Sequence, residues 1–290
     1  MFPAIHSYIG NTPMLTVPHP NARILAKAEW YNAAGSVKDR VAYSILKDAR
    51  TRQLLRPGGT VIEATSGNTG IALAAMSASL GYLCIIVMPE NMSRERIQRM
   101  RACGAQVILS SAEDGMAGAV KLARLIQADT PGSFLADQFQ NSANPKAHFD
   151  TTGPEIYQQC GGVGDIFLSG VGSGGTITGV GHYLRQQLPH IRIIALHPAP
   201  GEQIPGLGAG FLPAVFDQAL VDEDFFVTCR QATAAARNFA KMTGLLVGFS
   251  SGAALHAALS LADKPENTGK TILTILADSG QNYLSTELFP

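Results

Sequence analysis

Charge is scarce in this chain and evenly split. Only 15% of the 290 residues are charged, and 22 Lys and Arg offset 22 Asp and Glu. No basic block interleaved with aromatics occurs, which argues against a nucleic-acid partner and leaves a small molecule as the expected ligand. Long hydrophobic runs are also missing, because Gly, Pro or charge interrupts each apolar stretch before it reaches spanning length. The opening MFPAIHSYIG has neither a charged n-region nor an apolar h-region, so the reading is a soluble, cytoplasmic protein with no membrane partner. Cys84, Cys103, Cys160 and Cys229 are far apart, with no CxxC and no metal-ligand spacing. No metal site is expected, nor a structural disulfide. Repeats of short period and low-complexity blocks are absent as well.

Hydrophobic residues, by contrast, make up 46% of the chain, enough for one large or two medium α/β domains. From about Thr60, β-like runs TVIEA, YLCIIVM, AQVILS, DIFLSGV, RIIAL and TILTILA alternate with helical segments near 69–80, 93–102, 115–128, 175–187, 231–242 and 250–262. Such alternation predicts parallel sheets covered by helices. The polar stretch QFQNSANPK, from Gln138 to Lys146, is the expected boundary region. In open α/β sheets ligands bind beyond the carboxyl ends of strands, which directs attention to the loops after TVIEA and DIFLSGV.

Lys38 is conspicuous for its position. Ser36-Val37-Lys38-Asp39 reads as a capping box, with Ser36 as N-cap of a helix running to about Leu54. Val37, Val41, Ala42, Ile45, Leu46 and Ala49 share one apolar face, and Lys38 falls near its middle, while Asp39, Arg40, Lys47 and Arg50 fall elsewhere. A lysine pointing inward at a helix N-terminus loses hydration and meets the positive end of the dipole, so both effects favour the neutral, nucleophilic amine. A lysine snorkelling from a helix end is the structural alternative.

After TVIEA, Thr65-Ser66-Gly67-Asn68-Thr69-Gly70 leads into a helix, and its hydroxyls, amide and backbone N–H groups suit a carboxylate. Ordinary capping needs one hydroxyl, and this loop offers three. After DIFLSGV comes Gly170-Val171-Gly172-Ser173-Gly174-Gly175-Thr176, where side-chain-free backbone can wrap a phosphate and Ser173 and Thr176 add donors. Gly170, Gly172 and Gly175 also match the dinucleotide pattern GxGxxG, which requires an acid about 20 residues further on for the ribose. No Asp or Glu occurs between Ile166 and Gly201, so an NAD-dependent oxidoreductase becomes a minor reading, with an NADP variant left open. Thr176 stands where a Walker A lysine would be needed. A third loop, Val247-Gly248-Phe249-Ser250-Ser251-Gly252, reads by default as helix capping.

Taken together, NAAGSVKDR, EATSGNTGIALA, DQFQN, TTGPEIY, the glycine loop 172–176, GLGAGF and GFSSGAAL resemble the cysteine synthase (O-acetylserine sulfhydrylase) family of pyridoxal-phosphate (PLP) enzymes of fold type II. The resemblance runs from IGNTPML to YLSTELF. It implies an α/β fold of two domains, each an open, mostly parallel sheet covered by helices, with PLP in the cleft between them. A smaller domain, 36–144, would carry the carboxylate loop and move on closure, and 1–35 plus 145–290 would form the larger PLP-binding domain.

By the same resemblance, Lys38 would be catalytic and would hold PLP as a Schiff base, Asn68 would bond the cofactor's 3′ oxygen, and Gly172, Ser173, Gly174, Gly175 and Thr176 would hold its phosphate. Ser250 would face the pyridine nitrogen. Thr65, Ser66, Asn68, Thr69 and Gln138 would bind the substrate, with Gly208, Ala209 and the residues to Phe211 near the mouth. A hydroxyl at the ring nitrogen, with no Asp or Glu between Phe225 and Ala262, suits β-elimination better than long-lived carbanion chemistry.

The implied activity is that of a PLP-dependent transferase that replaces the acetoxy group of O-acetyl-L-serine with sulfide. A homodimer is implied, with serine acetyltransferase as a further candidate partner. EATSGNTG, NAAGSVKDR and GPEIYQQCGG resemble B-type enzymes, whereas GLGAGF and DSGQNYLST resemble the A-type. No Lys or Arg occurs between Ile193 and Cys229, which disfavours O-phosphoserine or thiosulfate as donors unless another segment supplies a cation. Cystathionine β-synthase, β-cyanoalanine synthase and a PLP-binding regulatory paralogue remain as alternatives. His6, His148, His182 and His256 have no evident partner in the sequence and read as structural.

Overall fold

The computed structural model describes residues 5–91 and 94–289, so Ser93, the expected start of one helix, and the first residues of MFPAIHSYIG lie outside the described residues. In chain order the elements are β1 (Met14–Val17), β2 (Arg23–Ala28), α1 (Lys38–Thr51), β3 (Thr60–Ala64), α2 (Asn68–Leu80), β4 (Leu83–Pro89) and α3 (Arg94–Ala102). Then come β5 (Gln106–Ser110), α4 (Gly115–Asp129), β6 (Phe134–Leu135), α5 (Ala143–Ala147), α6 (Gly153–Gln159), β7 (Ile166–Gly170) and α7 (Gly175–Gln187). The chain closes with β8 (Arg192–Pro198), β9 (Glu223–Val227), α8 (Cys229–Thr243), α9 (Phe249–Ala262) and β10 (Thr271–Leu276). Two compact units result: residues 1–9 with 32–143, and 10–31 with 144–290.

The first unit holds a four-stranded sheet in the order β5-β4-β3-β6, all parallel. Strand β3 is buried on both sides. Val61 faces a cluster with Val41, Ile45 and Leu46 of α1 and Ile71, Leu73 and Met76 of α2. Ile62 and Ala64 face Ala119 and Ala123 of α4. Double-sided burial explains the mostly apolar character of β3 and β4, broken in β3 by the buried Glu63, as parallel strands between helical layers demand. From β3 the chain steps outward through β4 to β5, then returns to add β6 on the other side of β3. The β3/β6 edge is therefore the point where strand order reverses, and ligand sites form beyond the carboxyl ends of such strands.

The second unit holds a six-stranded sheet, β1-β2-β10-β7-β8-β9, with only the β1/β2 pair antiparallel. Helices α8 and α9 cover one face, through Ala232, Ala236, Ala254 and Leu255. Helices α6 and α7 cover the other, through Ile156, Ile177, Val180 and Leu184. Order reverses here between β7 and β10.

Three expectations need correction. The cap of α1 is Val37, not Ser36, because the Asp39 carboxylate accepts the Ala34 N–H and the Ser36 hydroxyl instead of closing a box. Ser36 Oγ accepts the Lys38 N–H at 3.2 Å. Asp39 and Arg40, expected to fall off the apolar face, are buried all the same, and Lys38 is half-buried. Strands β1, β2, β6 and β9 were not anticipated from the sequence pattern; β6 is two residues long, and β2 carries Lys27, buried through an ion pair with Glu155 at 2.7 Å.

Candidate active site

In the first unit, Lys38 follows a turn pinned at both ends. Gly35, at φ +91°, turns the chain in the left-handed region, and Gly35 N–H donates to Asn32 O at 2.9 Å. Arg99 of α3 donates to Ala34 O at 2.9 Å. The same helix supports the next loop, since Arg96 Nη1 donates to Ser66 O at 3.2 Å. The loop at 65–70 leaves β3 at the switch point. Its helix, α2, has Gly67 as N-cap, which offers no side chain to the first-turn N–H groups. Such a terminus suits an anion. Ordinary Thr or Ser capping is therefore not what this loop does. Thr65 and Thr69 are buried, while Ser66 and Asn68 are half-exposed. Thr69 Oγ1 donates to Gln138 Oε1 at 2.6 Å, across 69 positions of sequence. Gln138 arrives just beyond β6, so the reversal of strand order accounts for this meeting.

In the second unit, the glycine loop leaves β7 at the other switch point and enters α7 through Gly174 as N-cap, at φ +83°. Close approach governs its composition. A Cβ at Gly172 would stand 2.6 Å from Gly206 O, one at Gly174 would stand 2.3 Å from Phe216 Cβ, and one at Gly175 would stand 1.9 Å from Asn144 Oδ1. The two hydroxyls are oriented from behind. Asn144 Nδ2 donates to Ser173 Oγ at 3.0 Å. Thr176 Oγ1 lies 3.2 Å from His148 Nε2, and His148 Nδ1 lies 2.9 Å from Thr152 Oγ1. A cradle of bare backbone at a helix N-terminus with two fixed hydroxyls fits a phosphate.

Ser250 sits half-buried in the first turn of α9, whose N-cap is again a glycine, Gly248. Neither Ser250 nor Ser251 is the cap, contrary to the default reading; Ser251 Oγ donates to Asp278 O at 3.4 Å. A Cβ at Gly206 would lie 3.2 Å from Ser250 Oγ, and Gly208 N–H donates to Val171 O at 2.8 Å. The structure thus gathers Gly172, Gly206, Gly208 and Ser250 in one unit, while Ala209 is half-exposed. Lys38, Thr65, Ser66, Asn68, Thr69 and Gln138 belong to the other unit.

Sequence reasoning missed several supporting residues. His148 is not partnerless, as it bridges two threonines, and His182 Nε2 lies 2.9 Å from Asp217 Oδ2. Thr176 lies 28 positions from His148 and Asp217 lies 35 from His182, beyond the reach of local pattern, although Thr152 is only 4 positions from His148. Asp278, just after β10, is a buried carboxylate that accepts the Tyr283 hydroxyl at 2.6 Å and lies against Gly248. The acid-free window from Phe225 to Ala262 ended short of it. The cation absent from 193–229 has a counterpart in Arg96, from α3. All four cysteines are free, and burial pushes the Cys84 thiol up to about 12. Among the described residues no group of His, Cys, Asp and Glu could hold a metal, and no helix is long and apolar enough to cross a membrane.

Comparison with known proteins agrees with this chemistry. The family model described as pyridoxal-phosphate dependent enzyme matches residues 5–278. Cysteine synthase A of Escherichia coli (strain K12) is 42% identical over 301 aligned positions, covering 97% of this chain and 93% of the relative. Among solved structures, a cysteine synthase (OASS) from Entamoeba histolytica superposes with a TM-score of 0.95 at 40% identity, covering 100% of this chain and 91% of that one. An O-ureido-L-serine synthase superposes with a TM-score of 0.94 at 38% identity, covering 100% and 95%. With a phosphate cradle, an amine-bearing turn and these full-length matches, the chain belongs to the pyridoxal-phosphate dependent enzymes, has their fold type II architecture and uses pyridoxal phosphate as its cofactor.

Proposed function

We propose that this protein is a cysteine synthase, which replaces the acetoxy group of O-acetyl-L-serine with sulfide to give L-cysteine and acetate. The observation that carries the reading is the α2 N-terminus in the same unit as Lys38. It is glycine-capped, its Ser66 and Asn68 are accessible, and the Thr69–Gln138 hydrogen bond fixes its buried side. An α-carboxylate is the ligand such a site takes.

The residues then divide the work. Gly172 to Thr176 hold the cofactor phosphate, Asn68 its 3′ oxygen and Ser250 its ring nitrogen, and Lys38 is its covalent anchor. When bound, the cofactor supplies an electron sink that stabilises negative charge at the substrate Cα. Thr65, Ser66, Thr69 and Gln138 orient the carboxylate, so that the Cα proton faces the amine. Lys38, freed when the substrate amine takes its place, takes that proton as acetate leaves Cβ with its bonding pair, and returns it to Cα after sulfide has bonded to Cβ. Gly208 and Ala209 border the entrance. Homodimerisation and a cytoplasmic location complete the reading, the latter supported by four free cysteines.

A second reading, the same β-replacement with another donor or nucleophile, is favoured by the O-ureido-L-serine synthase likeness and by Arg96 beside Ser66. Steady-state rates with O-acetylserine or O-phosphoserine, each with sulfide or thiosulfate, decide between them. Cysteine formation from O-acetylserine and sulfide is the expected preference, and its absence sinks the main reading. Lys38→Ala should lower that rate by roughly 10² to 10⁴ and abolish borohydride fixation of the cofactor. Fixation that survives at the same site overturns the lysine assignment.

A further inference from the structure

Helix α3 turns an unexpected face toward its unit. Arg96, Arg99 and Met100 lie together at helical spacing; Met100 is fully buried and both arginines are half-buried, while Glu95, Gln98 and Arg101 are exposed. A helix ordinarily fills its inward face with apolar residues, so two arginines there need partners. Both have backbone carbonyls. Arg96 Nη1 donates to Ser66 O at 3.2 Å, and Arg99 Nη2 donates to Ala34 O at 2.9 Å. Met100 meets the first turn of α2, where a Cβ at Gly70 would stand 2.7 Å from its Cε. One short helix thus touches the turn that leads to Lys38 and both ends of the loop at 65–70.

The bonds within the lysine turn are local. Gly35 N–H donates to Asn32 O, the Ala34 N–H and the Ser36 hydroxyl donate to the Asp39 carboxylate, and Lys38 N–H donates to Ser36 Oγ. Arg99 adds a tie from another element, 65 positions away, and its Nη2 would lie 3.8 Å from a Cβ at the left-handed Gly35. We infer that Arg99 is a positioning residue for the Lys38 amine, and that α3 registers this amine against the carboxylate loop. The inference rests on the cysteine synthase reading for what Lys38 and the loop do. Arg96 and Arg99 stand three residues apart, about 4.5 Å along a helix axis, so the two carbonyls they hold cannot shift separately unless α3 bends or a bond breaks. Arginine suits the task because its planar fork stays charged and makes charge-assisted bonds with little loss of freedom. Proton transfer needs the amine within hydrogen-bond reach of Cα, and a displacement of about 1 Å can cost a hundredfold in rate. Arg99 therefore acts on the rate, and Arg96, through Ser66, on substrate binding.

Stopped-flow absorbance of the holoenzyme with O-acetylserine separates the two, since it yields a saturating rate and a half-saturation. Arg99→Met keeps the apolar stem and removes the donor. It should lower the saturating rate by about tenfold to a hundredfold and leave half-saturation within about threefold of the parent. Arg96→Met should do the reverse, raising half-saturation about tenfold with a smaller loss of rate. Backbone hydrogen exchange at Ala34 and Gly35 should accelerate more in Arg99→Met than in Arg96→Met, a readout that needs no turnover. Equal effects of the two variants on rate and half-saturation, or unchanged exchange at 34–35 in Arg99→Met, overturn the inference. Should Arg99→Met not fold, Arg99→Gln, two atoms too short to keep the bond, is held to the same criteria. A wild type that shows no absorbance response to O-acetylserine defeats the cysteine synthase reading instead, and leaves the exchange measurement to judge Arg99.

Discussion

The two loops at the switch points, each proposed to hold an anion, are shaped by different physics. The glycine loop of the second unit is shaped by contact: at Gly172, Gly174 and Gly175 a methyl group would collide with backbone or a buried amide. The loop at 65–70 leans more on hydrogen bonds from distant segments, with close packing at Gly70, where a methyl would stand 2.7 Å from the flexible end of Met100. Gln138 fixes Thr69 and Arg96 fixes Ser66, while Gly67 itself has open space around it. A surface set by close packing cannot yield without forfeiting its dispersion contacts, which suits a phosphate that stays bound. A surface set by single hydrogen bonds, each worth about 1 kcal/mol, can adjust when a substrate arrives and leaves. Permanence and turnover are thus written into different kinds of contact.

The sharpest way to break the comparison is Gly175→Ala. Its new methyl would stand 1.9 Å from Asn144 Oδ1, and Asn144 is also what orients Ser173. Overpacking of this kind costs about 1–3 kcal/mol, so cofactor affinity should fall roughly tenfold to a hundredfold in an absorbance titration of the apoprotein with pyridoxal phosphate. Retained affinity would mean that the cradle is softer than its packing implies. Thr69→Val is the matching change on the other loop. It deletes the hydroxyl that donates to Gln138 at 2.6 Å and leaves that buried amide oxygen short of a donor. A cost of about 1–2 kcal/mol should raise O-acetylserine half-saturation by about tenfold, with cofactor content unchanged. A loss of cofactor instead would erase the division of labour.

Elements covered by a helix on each side were legible in the sequence, and contacts between segments were not. TVIEA is β3 to the residue, and the expected helix at 175–187 is α7 to the residue, because a strand buried on two faces or a glycine-to-helix switch leaves a local signature. The edge strands β1, β6 and β9 left none, whereas the edge strand β5 did. β9, EDFFV, sets two acids before two aromatics at the border of its sheet, and the interior strand β2 hides Lys27 in the core by pairing it with Glu155 from another part of the chain. The same logic separates the site residues. Thr65 to Gly70 and Gly170 to Thr176 stand out as runs, whereas His148 and Asp278 gain meaning only from distant contacts, with Thr176 and with Gly248. Ser36 shows the converse error. Its spacing to Asp39 was right for a cap, yet Asp39 bonded the Ala34 N–H and moved the helix start to Lys38.

The smallest expected effect is also the most discriminating. Gly67→Ala places a methyl where no heavy atom lies within 4 Å, at φ −113°, a backbone region open to any residue. Unlike Gly172 or Gly175, this glycine is not demanded by its neighbours. Stability should stay within about 0.5 kcal/mol of the parent by urea denaturation, and cofactor affinity should not move. If Gly67 is small because a carboxylate approaches the first-turn N–H groups of α2 closely, the methyl will weaken only substrate binding, by a few-fold. A variant with unaltered half-saturation would show that the anion sits further out, against Ser66 and Asn68, and that the glycine cap serves only to open the helix end.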